Sequence, residues 1–156
     1  MSKSHLLPAP ALLDFLAPYP HEVQQLALAV RRFVIEHIPH MTEIIFDASN
    51  SVGMAFSPSG RSKDAICHVA VYASYVNIGF NRGAELPDPG GRLEGSGKSL
   101  RHITIRRVED LLIPDLRTLL AEAVRRAHTR KARAGLIIKP MLSRKPRPEL
   151  VKGASA

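Results

Sequence analysis

The residues of this chain with the most chemical potential gather between positions 81 and 102. Arg82 and Lys98 flank a loop that carries Glu85, Asp88 and Glu94, and Arg101 and His102 follow it. Cations beside glycines suit an anionic ligand, because guanidinium and ammonium donors pair with carboxylate or phosphate oxygens. The same cations also suit ion pairs with Glu85, Asp88 and Glu94, which would fasten the loop instead. On an extended strand Arg101 and His102 point to opposite faces, so one ligand meets both only if the strand bends. A loop of about nineteen residues is long for a compact domain, and such loops are usually functional or disordered. The candidate ligand set is therefore Arg82, Glu85, Asp88, Lys98, Arg101 and His102.

Gly95-Ser96-Gly97-Lys98-Ser99 imitates the end of a nucleotide-binding P-loop. That motif needs a glycine five positions before the Gly of Gly-Lys, where this chain has Arg92. It also opens a helix, whereas Lys98 precedes a strand-like run. The glycines fit tight turns with positive φ better. Elsewhere, Pro39 separates His37 from His40 and breaks the helical spacing that would align them on a metal. Cys67 and His68 are strand neighbours and face opposite ways. Cys67 reads as a small buried core residue, and Ser57, Ser59, Ser96 and Ser99 as turn residues without a nucleophile motif. No catalytic machinery is evident, and no reaction is identified.

The net charge of +8 on 156 residues suggests a polyanion binder until it is divided. Residues 125–156 hold ten Lys and Arg against Glu149 alone, a charge of +9, which leaves residues 1–124 at −1. The body is neutral and the tail is the polycation. Arg130, Lys131, Arg133, Arg144, Lys145 and Arg147 are candidates for non-specific contact with nucleic acid or another polyanion. The alternative is a tail that merely solubilises the chain.

These residues need elements to position them. Val23, Leu26, Val30, Phe33 and Ile38 predict an amphipathic helix over 20–38, ended by Pro39, with Gln24, Gln25, Arg31, Arg32 and Glu36 on the polar side. Ile44–Phe46 and Val52–Phe56 predict a hairpin, as do 66–72 and 75–80, and Arg101–Arg106 alternates as a further strand. Leu116, Leu119, Leu120, Ala123 and Ala127 predict a last helix over about 114–128. Ala134–Ile138 is a short apolar patch in the tail that would dock on the body or pair with an edge strand. The expected architecture is α+β, an antiparallel sheet of about five strands with the N- and C-terminal helices on one face. It divides into a segment over 1–19, a domain over 20–128 and a basic tail over 129–156. With aromatics at 5% and Trp absent, the core must be aliphatic. No apolar run approaches the ~20 residues of a membrane span. The N-terminus has no long apolar stretch of a secretory signal, and a single cysteine suits a reducing cytoplasm.

The stretch 77–89, running Asn-Ile-Gly-Phe-Asn-Arg-Gly-Ala-Glu-Leu-Pro-Asp-Pro, with 93–98 and Arg101-His102-Ile103, resembles the YdhG-like family of small bacterial proteins. The likeness extends back through 43–47 and 53–58 and forward to the last helix, covering about residues 20–127. Gly90-Gly91-Arg92-Leu93 departs from it, since the family tends to have an acidic residue, Gly and two Leu there. The resemblance implies a domain of unknown function with a frataxin-like sheet and helix arrangement. It also implies iron as cargo, since some relatives have been proposed as iron chaperones. Hard iron wants carboxylates, and here they are scattered among Glu36, Glu43, Asp47, Glu85, Asp88 and Glu94. The expected function is a small cytoplasmic binding or accessory protein for an anionic ligand or protein partner, without a membrane role. Iron delivery and polyanion binding are the alternatives.

Overall fold

A computed structural model describes residues 4–127 and 135–139. A short helix α1 (Pro10–Leu16) precedes the long helix α2 (His21–His37). Five strands follow: β1 (Thr42–Asp47), β2 (Val52–Ser57), β3 (Cys67–Val71), β4 (Val76–Phe80) and β5 (Arg101–Ile105). Helix α3 (Pro114–Arg126) and strand β6 (Gly135–Lys139) complete the described chain. Pro10 and Pro114 open their helices where a missing N–H costs nothing. Asp110 fastens the turn before α3 by accepting the backbone N–H groups of Arg106 and Arg107.

The sheet order is β5-β4-β3-β2-β1-β6. Strands β1 to β5 form an antiparallel meander in which Ile45, Met54, Val69, Ile78 and Ile103 stand in one row across the sheet. Flanking rows of Phe56, Cys67 and Phe80, and of Val52, Val71, Val76 and Ile105, face the same way. All of them enter one core with Val23, Leu26, Ala27, Val30 and Val34 of α2 and Leu116, Leu119 and Leu120 of α3. Each fully buried aliphatic side chain is worth roughly 1.5–3 kcal/mol, so these rows dictate the register. The opposite face carries small and polar residues over β3 to β5, among them Ala70, Asn77, Gly79 and Thr104, while Ile44 and Phe46 of β1 and Ala55 of β2 pack there with Ala65 in a small second cluster. At Gly79 a Cβ would come within 2.1 Å of the His68 ring, so the glycine makes room for that imidazole.

The fold is α+β with the helices on one sheet face, but the sheet is neither five-stranded nor wholly antiparallel. Gly135–Lys139 pairs in parallel with β1. This segment is apolar at Leu136, Ile137 and Ile138, and β1 would otherwise offer a bare edge. A strand reached through a helical crossover, here α3, runs parallel to the strand before the helix and hence to β1. Lys139 closes the pairing from above the Phe46 ring, 5.6 Å from its centroid.

A second departure concerns Arg31, expected on the polar side of α2. It is 3% exposed, so its charge must be matched inside the fold. Nε donates to Glu43 Oε2 at 2.8 Å and Nη2 to Oε1 at 2.9 Å, a two-pronged pair between α2 and β1. Nη1 and Nη2 also donate to the carbonyl oxygens of Leu6 and His5 at 2.9 and 3.1 Å. The residue borders the apolar stripe beside Val30 and Val34, and the N-terminal segment covers it. Arg31 is thus the tie between that segment and the sheet.

Candidate functional site

In an antiparallel meander alternate loops fall at the same end of the sheet. The β2–β3 loop and the β4–β5 loop therefore meet, and the last turn of α3 closes on both. Between them lies a cleft of about 1240 Å³. Its floor is apolar, built from Ile66, Phe80, Leu86 and Ala123, and its rim is charged. Arg61 and Lys63 come from the β2–β3 loop, Arg82 from the start of the β4–β5 loop and Arg126 from α3. Against these four cations the lining has two carboxylates, Asp64 and Glu85.

Three of the cations are already engaged. Arg61 Nε lies 3.1 Å from Asp64 Oδ2, which also accepts the Ser59 hydroxyl at 2.7 Å. Those two hydrogen bonds hold the Asp64 carboxyl below its ordinary value. Arg82 pairs two-pronged with Glu85 at 2.6 and 3.2 Å. Arg126 pairs with Glu122 at 2.7 Å and donates to the Glu85 carbonyl oxygen at 2.9 Å. Hydrogen bonds from Arg125 and Arg126 pull Glu122 down to about 2. The C-terminal end of α3 contributes partial negative charge to the cleft, and Arg126 offsets it. Lys63 makes no ion pair among the described residues.

Of the sequence candidates, Arg82 and Glu85 line this cleft and pair with one another. The other four lie elsewhere. Asp88 caps its own loop, accepting the N–H groups of Arg92 and Leu93 at 2.9 Å each. Arg101 turns back on the loop, donating to the carbonyl oxygens of Gly97 and of Leu100, the latter at 2.7 Å. His102 stands on the open sheet face with Nε2 3.6 Å from Glu94 Oε2, and the two residues exchange backbone hydrogen bonds. Lys98 is exposed and makes no ion pair among the described residues. Ala84 N–H donates to the Ser99 carbonyl oxygen at 2.9 Å, which closes the loop's two ends on each other. Of the glycines in the Gly95-Ser96-Gly97 run, Gly95 has the expected positive φ and Gly97 does not, and Gly91 earlier in the loop has it too.

Sequence reasoning missed Arg61, Lys63, Asp64, Asn81 and Arg126. The signal was available in the parity of the meander, which puts the Ser59–Asp64 loop beside Arg82. Asn81 also reaches out of the cleft to His68, with Oδ1 3.1 Å from Nδ1. Burial holds the His68 ring below its ordinary value. Cys67, on the core side, is fully buried and its thiol is pushed up to about 12, so no thiolate forms near neutral pH.

Among the described residues no three His, Cys, Asp or Glu side chains stand close enough together to hold a metal ion. Arg130, Lys131, Arg133, Arg144, Lys145 and Arg147, the polyanion candidates, lie outside the described residues. Among the described residues no helix is long and apolar enough to cross a membrane. Comparison of the chain with protein-family models, with curated proteins and with solved structures finds no match.

Proposed function

We propose that this protein is a small binding module that holds an anionic ligand with an apolar body in the cleft between the β2–β3 loop, the β4–β5 loop and the end of α3, without catalysing a reaction on it. The observation that carries this reading is the convergence of Arg61, Lys63, Arg82 and Arg126 over an apolar floor, with two carboxylates against four cations. Exposed ion pairs such as Arg82 with Glu85 are worth only about 0–1 kcal/mol. A phosphate or carboxylate therefore displaces the carboxylate partner at little cost, while Lys63 waits unengaged. The apolar body of the ligand would settle over Leu86 and Phe80. A binding role also suits Cys67, whose buried thiol supplies no nucleophile. A reducing cytoplasmic setting and membership of the YdhG-like family belong to the same proposal, supported by the single cysteine and by the residues of the 77–103 stretch.

Isothermal titration with phenyl phosphate, and with phenol as the uncharged control, tests the reading. Phenyl phosphate is expected to bind and phenol not, with Lys63→Gln weakening the complex about tenfold, as for the loss of one charge-assisted hydrogen bond. Equal binding of phenol, or no binding of phenyl phosphate, overturns it.

A further inference from the structure

His68 stands outside the cleft, yet one side chain joins it to the cleft wall. It lies on β3, on the sheet face away from the helices, opposite Gly79 of β4. Its ring covers Gly79, in space that a Cβ there would occupy, and so leans across β4 toward Asn81. Asn81 belongs to both places. It lines the cleft, and its backbone N–H donates to the carbonyl oxygen of Ile66 in the cleft floor at 3.2 Å. Its side-chain Oδ1 lies 3.1 Å from His68 Nδ1. The NH2 end of the same amide makes no hydrogen bond among the described residues.

We infer that Asn81 donates its amide N–H to the anion in the cleft and that His68 is the residue that positions it, so that protonation of His68 and ligand binding favour each other. The inference rests on the anion-binding reading of the cleft. An amide can meet a ring nitrogen with either end. An imidazolium carries a proton on both nitrogens, and then only the oxygen end of Asn81 can face it. The NH2 end is thereby turned from the ring and offers its donors to a ligand oxygen. A neutral ring can also present a bare Nδ1, which draws the NH2 end and takes that donor from the ligand. Coupling of this kind is reciprocal, so a ligand that prefers the charged ring raises the ring's hold on its proton by the same factor. The neighbours of the ring leave room for that effect. Strand β2 faces it with Ala55 and β4 with Gly79, and the titratable group facing it among the described residues is His102 of β5, itself 3.6 Å from Glu94. Burial holds the free ring below its ordinary value against the hydrogen bond to Asn81, and His102 adds to the effect of burial.

The test uses the full-length chain with and without saturating phenyl phosphate. The His68 ring is titrated by NMR between about pH 5 and 8, with the ligand's own protonation followed by phosphorus NMR alongside. The His68 midpoint is expected to rise by at least about 0.5 pH unit on binding, which corresponds to about threefold tighter binding by the charged ring. In Asn81→Leu the rise should disappear and the affinity at pH 6 should fall about fivefold, as for the loss of one neutral hydrogen bond. His68→Leu should weaken binding as much. His68→Asn, whose amide can still hold the Asn81 oxygen, should stay within about twofold of the parent. An unmoved His68 midpoint while phenyl phosphate shifts the amides of the cleft overturns the inference and leaves the anion reading standing. Cleft amides that do not respond to phenyl phosphate overturn both. An equal rise in Asn81→Leu would show the ligand's charge acting across space and overturns the positioning role, as does a His68→Asn variant no better than His68→Leu.

Discussion

Replacing Glu43 by Leu should destabilise the fold more than any change at the cleft rim. Glu43 gives both carboxylate oxygens to Arg31, whose side chain is 3% exposed. Removing one partner of a buried pair leaves the other charge uncompensated, at a cost of about 3–5 kcal/mol. With an m-value of about 2 kcal/mol per molar urea, the unfolding midpoint should fall by about 2 M. Changing both residues, Arg31→Met with Glu43→Leu, should recover most of the loss, because an apolar pair of similar volume is often neutral relative to the ion pair. The carbonyl oxygens of His5 and Leu6 would lose their donors in the double variant, yet they belong to a surface segment that water can reach. That variant should therefore be nearly as stable as the parent and release its N-terminal segment to proteolysis sooner. Urea unfolding followed by circular dichroism measures the first effect, and timed digestion with N-terminal mapping the second. A midpoint shift below about 0.5 M for Glu43→Leu, or a double variant no better than the sum of the two singles, would refute the reasoning.

Further expectations concern the sheet and its titrating groups. Gly79→Ala should cost about 1–3 kcal/mol, because the new methyl group collides with the His68 ring; an unchanged urea midpoint would show that the ring simply swings away. Cys67, buried with its thiol pushed up to about 12, should react with a disulfide reagent at pH 8 only as the protein unfolds, and labelling at the rate of a free thiol would contradict its burial. Burial lowers the folded-state value of His68 below 6.5, so the unfolded chain takes up the proton first as pH falls. The stability this residue contributes is complete above about pH 6.5 and is lost as pH falls through the folded value, and an NMR titration of the ring with a midpoint at or above 6.5 would reverse that sign.

Much of the scaffold was legible because periodicity reports burial. The stripe of Val23, Leu26 and Val30 placed α2 within a residue or so of its ends, and the alternation of Val76, Ile78 and Phe80 placed β4. Arg31 was misplaced because helical spacing shows which residues border the core, not which neighbouring segment covers them. Strand β6 was visible as an apolar patch, but five residues between basic flanks do not say which edge they will join. The site was harder for a different reason. Arg82 and Glu85 were found from their loop, whereas Arg61, Lys63 and Arg126 belong to other elements and acquire meaning only once the meander folds their loops together. Asp88, Arg101 and His102 drew notice by residue type, and the structure spends each on fastening the 81–100 loop.

The central claim is that the cleft, and not the charge of the tail, takes a small anion. Backbone amide mapping by heteronuclear NMR during titration with phenyl phosphate tests it most directly, with the Lys63→Glu, Arg82→Glu double variant alongside. Shifts should gather at Asp64, Ala65, Asn81, Ser99 and Ala127, saturate together, and vanish in the double variant while its remaining spectrum stays dispersed. Shifts confined to residues beyond 128, or unaltered in the double variant, would contradict the account.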